Sequence, residues 1–157
     1  MRGTLKPFVH ATSPARALRV SGLYVGDHYL ADHDKSRAIA DVFWEQHYVA
    51  GAFEYLTRTD RQAGTALATT GHGWAIWTTP RTGTGWELLV RYERFTPDER
   101  VPDATRTHGV YGVTYWFPQQ HHGSTALMLD YERVVYGHFV PAQPTIGRVA
   151  LHALVDF

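Results

Sequence analysis

Gly147-Arg-Val-Ala-Leu-His-Ala-Leu-Val-Asp-Phe157 is the stretch that decides the fold class. Val149, Leu151, Ala153, Val155 and Phe157 stand on one parity, and Arg148, His152 and Asp156 stand on the other. A period of two means a β-strand with one apolar and one polar face. Chain ends ordinarily fray into solvent, so an apolar strand that closes on an aromatic residue needs a surface to hold it. Its length fits the about 9–11 residues with which a tilted strand crosses a bilayer.

Working back from this strand, period-two segments recur between turn-rich breaks. They predict strands at 4–11, 16–25, 37–45, 48–58, 72–79, 85–95, 108–117, 125–135 and 147–157. The connections between them alternate. Thr12–Ala15, Gln46–His47, Pro80–Thr84 and Pro118–Ser124 are short, whereas Gly26–Ser36, Thr59–Gly71, Thr96–Thr107 and Tyr136–Ile146 are long and rich in Asp, Thr, Pro or Gly. Tight turns at one end and longer loops at the other are what a transmembrane barrel shows. The expectation is an all-β, antiparallel transmembrane β-barrel, or the C-terminal part of a larger one, with about 8–9 strands in this chain. Val149, Leu151, Ala153, Val155 and Phe157 then resemble the C-terminal assembly signal of bacterial outer-membrane barrels, which is recognised by the barrel-assembly machinery.

The faces follow strand by strand. Trp86, Leu88, Val90 and Tyr92 alternate with Glu87, Arg91 and Glu93; Leu127, Leu129 and Tyr131 with Asp130 and Glu132. Val49, Gly51, Phe53 and Tyr55 alternate with Glu54 and Arg58; Ala38, Ala40, Val42 and Trp44 with Arg37, Asp41 and Glu45. Tyr111, Val113, Tyr115 and Phe117 oppose Gly112, Thr114 and Trp116. An Arg facing lipid at mid-bilayer costs about 2–4 kcal/mol, so the charged parity is assigned to the lumen. The expected pore-lining set is Arg37, Asp41, Glu45, Glu54, Arg58, Glu87, Arg91, Glu93, Asp130, Glu132, Arg148 and His152. Around Trp74, Ile76 and Trp77 both parities carry an aromatic residue, and the assignment stays open.

Composition narrows the classes further. The 157 residues suffice for one domain, and 13% are aromatic, as nine Tyr, seven Phe and five Trp. Such content suits aromatic girdles at two membrane interfaces. Cysteine is absent, so no disulfide framework and no thiolate chemistry are available. Fifteen basic residues balance fifteen acidic ones, which argues against nucleic acid as a partner. Residues 1–15 contain no apolar segment of the secretory kind; since an outer-membrane protein is exported, the expectation is a mature form or a C-terminal portion of a longer porin.

Gly85-Trp-Glu-Leu-Leu-Val-Arg-Tyr-Glu-Arg-Phe95, Thr107-His-Gly-Val-Tyr-Gly-Val-Thr-Tyr-Trp-Phe-Pro118, Leu127-Met-Leu-Asp-Tyr131 and the terminal strand follow one another in order. Together they resemble the C-terminal half of the phosphate-selective porin O and P family, and Gly51-Ala-Phe-Glu-Tyr55 resembles an earlier strand of it. The likeness spans about residues 16–157 and is strongest from Gly73 onward. It implies a Gram-negative outer-membrane porin for small hydrophilic solutes or ions, anions among them. Partners would be the lipid bilayer and lipopolysaccharide, with homo-oligomers in view. The chain departs from such porins of about 16–18 strands in holding half that number. Its mixed lumen charges suggest cross-strand ion pairs along a wetted wall rather than an anion-selective field, so the phosphate preference is not carried over.

Other chemistry is weaker. Asp27-His28 and Asp32-His33-Asp34-Lys35 could hold a divalent cation, although a solvated loop explains them as well; His121-His122 suits a polar turn. Ser124, His152 and Asp130 could form a lipase-like triad, but nothing places Ser124 on a nucleophile turn. Gly71-His-Gly73 and Thr82-Gly-Thr-Gly85 lack the strand–helix setting of a phosphate loop. No enzyme, cofactor or metal centre is expected. Three classes stay in view: a diffusion channel or part of one, a closed eight-stranded structural or adhesive outer-membrane barrel, and a soluble barrel with an apolar ligand inside. Interior polarity separates the last from the others, because a ligand-binding barrel would be apolar within and charged without.

Overall fold

In the computed structural model, which describes residues 1–8, 14–30, 33–61, 67–118 and 124–156, the alternating segments become strands of a single sheet. The strands are β1 (Arg2–Leu5), β2 (Arg19–Leu30), β3 (His33–Gln46), β4 (Val49–Asp60), β5 (Thr69–Pro80), β6 (Trp86–Thr96), β7 (Thr105–Trp116), β8 (Ser124–Gly137) and β9 (Ile146–Asp156). They lie in sequence order as a nine-stranded meander, and every neighbouring pair is antiparallel. A short 3-10 helix, Pro14–Ala17, precedes β2. Its Pro14 carbonyl accepts from Trp44 Nε1 at 3.0 Å and Gln46 Nε2 at 3.2 Å, which ties the N-terminal segment to the lower end of β3.

Two expectations about the first third of the chain are corrected. The segment 26–36 is not a long loop, because β2 and β3 continue through it with Asp27 opposite Lys35 and Leu30 opposite His33. Antiparallel pairing needs only backbone donors and acceptors, so it persists where side-chain alternation has ceased. Nor is 4–11 a full strand followed by a short turn at Thr12–Ala15. β1 ends at Leu5, Pro7 has no N–H to extend a ladder, and β2 begins only at Arg19. From β3 onward the described connections at one end are short, residues 47–48 and 81–85, and those at the other are longer, 97–104 and 138–145. The β4–β5 and β7–β8 connections lie partly outside the described residues.

At the 81–85 turn the backbone itself selects the residue. Gly85 has φ +93°, and a Cβ placed there would lie 2.5 Å from the Trp116 carbonyl oxygen. The same close approach allows Trp116 N–H to donate to Gly85 O at 2.8 Å. Only glycine satisfies both demands.

Among the described residues no second layer covers the sheet. The buried apolar residues among those described are Ala50, Ala75, Ala126 and Val134, and no large side chain is fully enclosed. Leu88 is 49% exposed, Leu129 50%, Ile76 51% and Leu151 73%. The buried alanines and Val134 share the face of Glu54, Glu93, Asp130 and Glu132, as their positions along the ladder require. From Trp86 to Phe95 in β6 the apolar parity is the more exposed and the charged parity the more shielded. A flat, single-layered sheet would expose both faces alike, so this asymmetry means that the sheet curls around its charged side. Among the described residues no contact joins β1 or β2 to β9.

Candidate functional site

The register places all twelve charged or imidazole positions expected to line a pore on one face: Arg37, Asp41, Glu45, Glu54, Arg58, Glu87, Arg91, Glu93, Asp130, Glu132, Arg148 and His152. Directly opposed residues in a sheet share a side. Asp41 stands opposite Glu54, Arg37 opposite Arg58, Glu132 opposite Arg148, and Ala75 bridges Glu54 to Glu93.

Five of these side chains join one belt through His108. Arg91 approaches Glu54 at 3.9 Å and pairs with Glu93. His108 Nδ1 lies 3.2 Å from Glu93 Oε2, and His108 Nε2 lies 2.9 Å from Glu132 Oε1. Glu132 in turn meets Arg148, so the connected charges run from β4 through β6, β7 and β8 to β9. Nearer the loop end, Asp60 accepts from Arg37 Nη1 at 2.7 Å and faces Arg58 Nε at 3.8 Å. Nearer the turn end, Arg81 pairs with Glu45 at 3.2 Å, and Trp116 Nε1 donates to Glu87 at 3.0 Å. Half-buried charges are tolerated when each finds an opposite partner and the remaining lone pairs stay wet.

The charged face also holds a cavity of about 320 Å³. It is bordered by Arg37, Glu54, Arg58, Arg91, Glu93 and Arg106. Arg58 stacks its guanidinium over the Phe95 ring at 4.8 Å, and its Nε is enclosed without an acceptor. Arginines outnumber glutamates around this space, so it carries a local excess of positive charge within a face whose charges are mixed.

The opposite face is apolar and aromatic. Along the middle of each strand its residues are uncharged: Val42 on β3, Phe53 on β4, Ile76 on β5, Leu88 and Val90 on β6, Val113 on β7, Leu129 on β8 and Leu151 on β9. The expected strand-end signal Val149, Leu151, Ala153 and Val155 lies on this side, while Phe157 falls outside the described residues. Two aromatic groups border the band. Toward the turns, Trp86 and Tyr115 rings are 4.8 Å apart and Tyr115 and Phe117 rings 5.1 Å. Toward the loops, Trp74 stands 5.5 Å from Tyr92 and 6.5 Å from Phe53. The register thus settles the strand that the sequence left open. Trp74 and Ile76 join the apolar face opposite Tyr55 and Phe53, whereas Trp77 lies on the charged face beside Phe43 at 5.8 Å.

Three tyrosines on this face share one posture. Tyr24 covers Gly26, Tyr111 covers Gly109 and Tyr131 covers Gly147, each ring within 4.0 Å of where a Cβ on the glycine would stand. In every case the glycine is the one toward the loop end. The rings lean that way, carrying their hydroxyls toward the polar end of the band, as amphipathic aromatics do at an interface.

Several expectations concerned other chemistry. Asp130 and His152 do meet, at 2.6 Å. Ser124, however, stands six residues along β8 from Asp130, about 20 Å at the rise of a strand, so the triad is not assembled. The loop set Asp27, His28, Asp32, His33, Asp34 and Lys35 lies partly outside the described residues, as do His121 and His122. The sequence reading missed His108, the centre of the belt, and Arg81 and Arg106, and it placed Trp116 on this parity without giving it a role. His108 was detectable: it extends the parity of Gly112, Thr114 and Trp116, and hairpin register sets it opposite Glu93.

Comparison with known proteins gives no match to a family model, a curated protein or a solved structure.

Proposed function

We propose that this chain forms wall strands of a bacterial outer-membrane β-barrel channel, a porin for passive diffusion of small hydrophilic solutes or ions. One observation carries the proposal: the face polarity is the inverse of a soluble domain's. Large apolar side chains are exposed, and charged side chains are shielded and paired. In water a face of this extent would drive association; against lipid it is the stable arrangement. The band from Trp86 to Arg94 covers eight residue steps, about 26 Å along the strand and about 20 Å of height at a tilt of about 40°, somewhat less than the about 25 Å apolar height of outer-membrane barrels. The same polarity disfavours a soluble barrel with an apolar ligand inside.

Unpaired edges cannot face hydrocarbon, since each unsatisfied backbone group costs several kcal/mol there. The β1 and β9 edges therefore require closure, by further strands of the same wall or by another copy of this chain. A closed eight-stranded barrel would instead need β2 paired with β9. The barrel-assembly machinery is the proposed partner of β9. Because the charges on the inner face compensate one another, weak ion preference is expected rather than phosphate selectivity.

Reconstitution in a planar bilayer tests the proposal. Stepwise conductance that changes with single substitutions at Arg91 or Glu132, and not at Leu129, is the expected result. Absence of conductance from membrane-inserted, folded protein would exclude the channel and favour a structural barrel.

A further inference from the structure

Arg94 on β6 and Arg133 on β8 are set apart from the other arginines of the central strands. Both are exposed, both stand on the apolar parity, and among the described residues neither has a hydrogen-bond or ion-pair partner. Each follows a tyrosine of the band by two residues toward the loops, on the same face: Arg94 follows Tyr92, and Arg133 follows Tyr131. Gly109 on the intervening strand β7 lies opposite both Tyr92 and Arg133, and Arg94 faces its neighbour Thr107. Tyr111 lays its ring and hydroxyl over Gly109, so the two arginines stand on either side of that hydroxyl at the loop-end border of the apolar band. Arg91, Arg37 and Arg148, by contrast, are each paired with carboxylates on the other face.

We propose that Arg94 and Arg133 form a binding site for the phosphate of an anionic lipid headgroup at the loop-end membrane interface. This rests on the apolar face being lipid-facing. The chemistry requires a ligand that brings negative charge to the level where the apolar surface ends, and a lipid phosphate is held there by its own acyl chains. A planar guanidinium matches phosphate oxygens with parallel N–H donors. The tyrosine hydroxyls that lean toward the same level supply further donors. Paired arginines could not serve, because a neighbouring carboxylate would compete for the donors and repel the ligand.

The test uses the full chain reconstituted in vesicles of phosphatidylcholine with or without lipid A, and compares wild type with Arg94→Gln, Arg133→Gln and the double variant. Lipid retained after detergent extraction is read by native mass spectrometry. Wild type is expected to enrich lipid A over phosphatidylcholine, with about fivefold loss for either single variant and about twentyfold for both. Arg→Lys variants should recover part of the enrichment, since charge returns without the planar fork. Equal retention by wild type and the folded double variant overturns the proposal. So does equal displacement of lipid A by dilute inorganic phosphate, which would make free phosphate the ligand. In the same vesicles a fluorophore on Leu88→Cys is exposed to brominated acyl chains. Quenching without headgroup preference defeats this site alone; no quenching defeats the lipid-facing assignment, and the site with it.

Discussion

His108 Nε2 stands 2.9 Å from Glu132 Oε1 while its Nδ1 faces Glu93 at 3.2 Å, so one imidazole on β7 links carboxylates on both neighbouring strands. His108 is only 16% exposed at its side chain, which strengthens hydrogen bonds to charged acceptors relative to those in water. Replacement by Ala should cost about 2 kcal/mol, seen as a lower urea midpoint for unfolding in detergent. His108→Gln should recover part of the loss, because an amide can donate to one carboxylate.

Face assignment gives the sharpest test. Leu88→Arg or Val90→Arg should each lower stability by about 2–4 kcal/mol in a bilayer, measured as the folded fraction that resists heat-free denaturing electrophoresis. The chain has no cysteine, so single cysteines can be introduced cleanly. Those at 87, 89 and 91 should react with water-soluble thiol reagents, and those at 86, 88 and 90 should not. The reverse pattern would turn the sheet inside out and end the channel proposal.

Arg91→Glu is a different case from a simple change of lumen charge. From parity alone it should leave assembly intact and shift preference toward cations. With Glu54 and Glu93 both beside Arg91, the reversal sets three carboxylates together. It should therefore destabilise as well, and Arg91→Gln should do so less. Denaturation midpoints ordered wild type, Gln, Glu would bear this out; a Glu variant as stable as wild type would not.

The 97–104 loop carries a local pH dependence. Asp98 accepts from the side chain of Arg100 at 2.8 and 2.9 Å and from its backbone N–H at 3.0 Å, which lowers the carboxyl below the ordinary aspartate value. A depressed folded value means that the contribution to loop order is complete above the unfolded value near 3.9 and is lost as pH falls through the lower one. Amide exchange at Arg100, corrected for its intrinsic rate, should be unchanged from neutral pH to about 5 and faster in more acidic solution. Asp98→Ala should show the faster rate at neutral pH, severalfold above wild type.

The terminal strand supplies a further expectation. Val155→Asp places a charge on the apolar face of β9, and should reduce assembled protein in the outer-membrane fraction while synthesis continues. Wild-type amounts of folded variant would remove the role assigned to that strand.

What could be seen in the sequence followed from where a single physical demand governed every second residue. From β3 to β9 the demand for one apolar and one charged face wrote alternation directly, so Leu88 and Glu87 fall on opposite faces in the sequence and in the structure alike. Strand ends obeyed a different demand. Beyond the band only backbone pairing matters, so Asp27 and Lys35 joined a ladder that no side-chain pattern announced. Trp77 defeated parity because an aromatic ring can sit on a wetted face when another ring, here Phe43, covers it. Pairing was less visible still, since a list of lumen charges does not say that His108 connects two of them.

The ionic belt has a geometric consequence. Glu93 and Glu132 belong to strands that are two neighbours apart, about 10 Å by ordinary strand spacing, and the imidazole between them fixes how far their tips can separate. Side chains on the hollow side of a curved wall are closer together than the backbones that carry them. The Glu93–His108–Glu132 bridge thus works as a calliper on curvature: its reach limits how flat the sheet becomes. Shortening it with Glu132→Asp would demand a tighter bend or release the clasp.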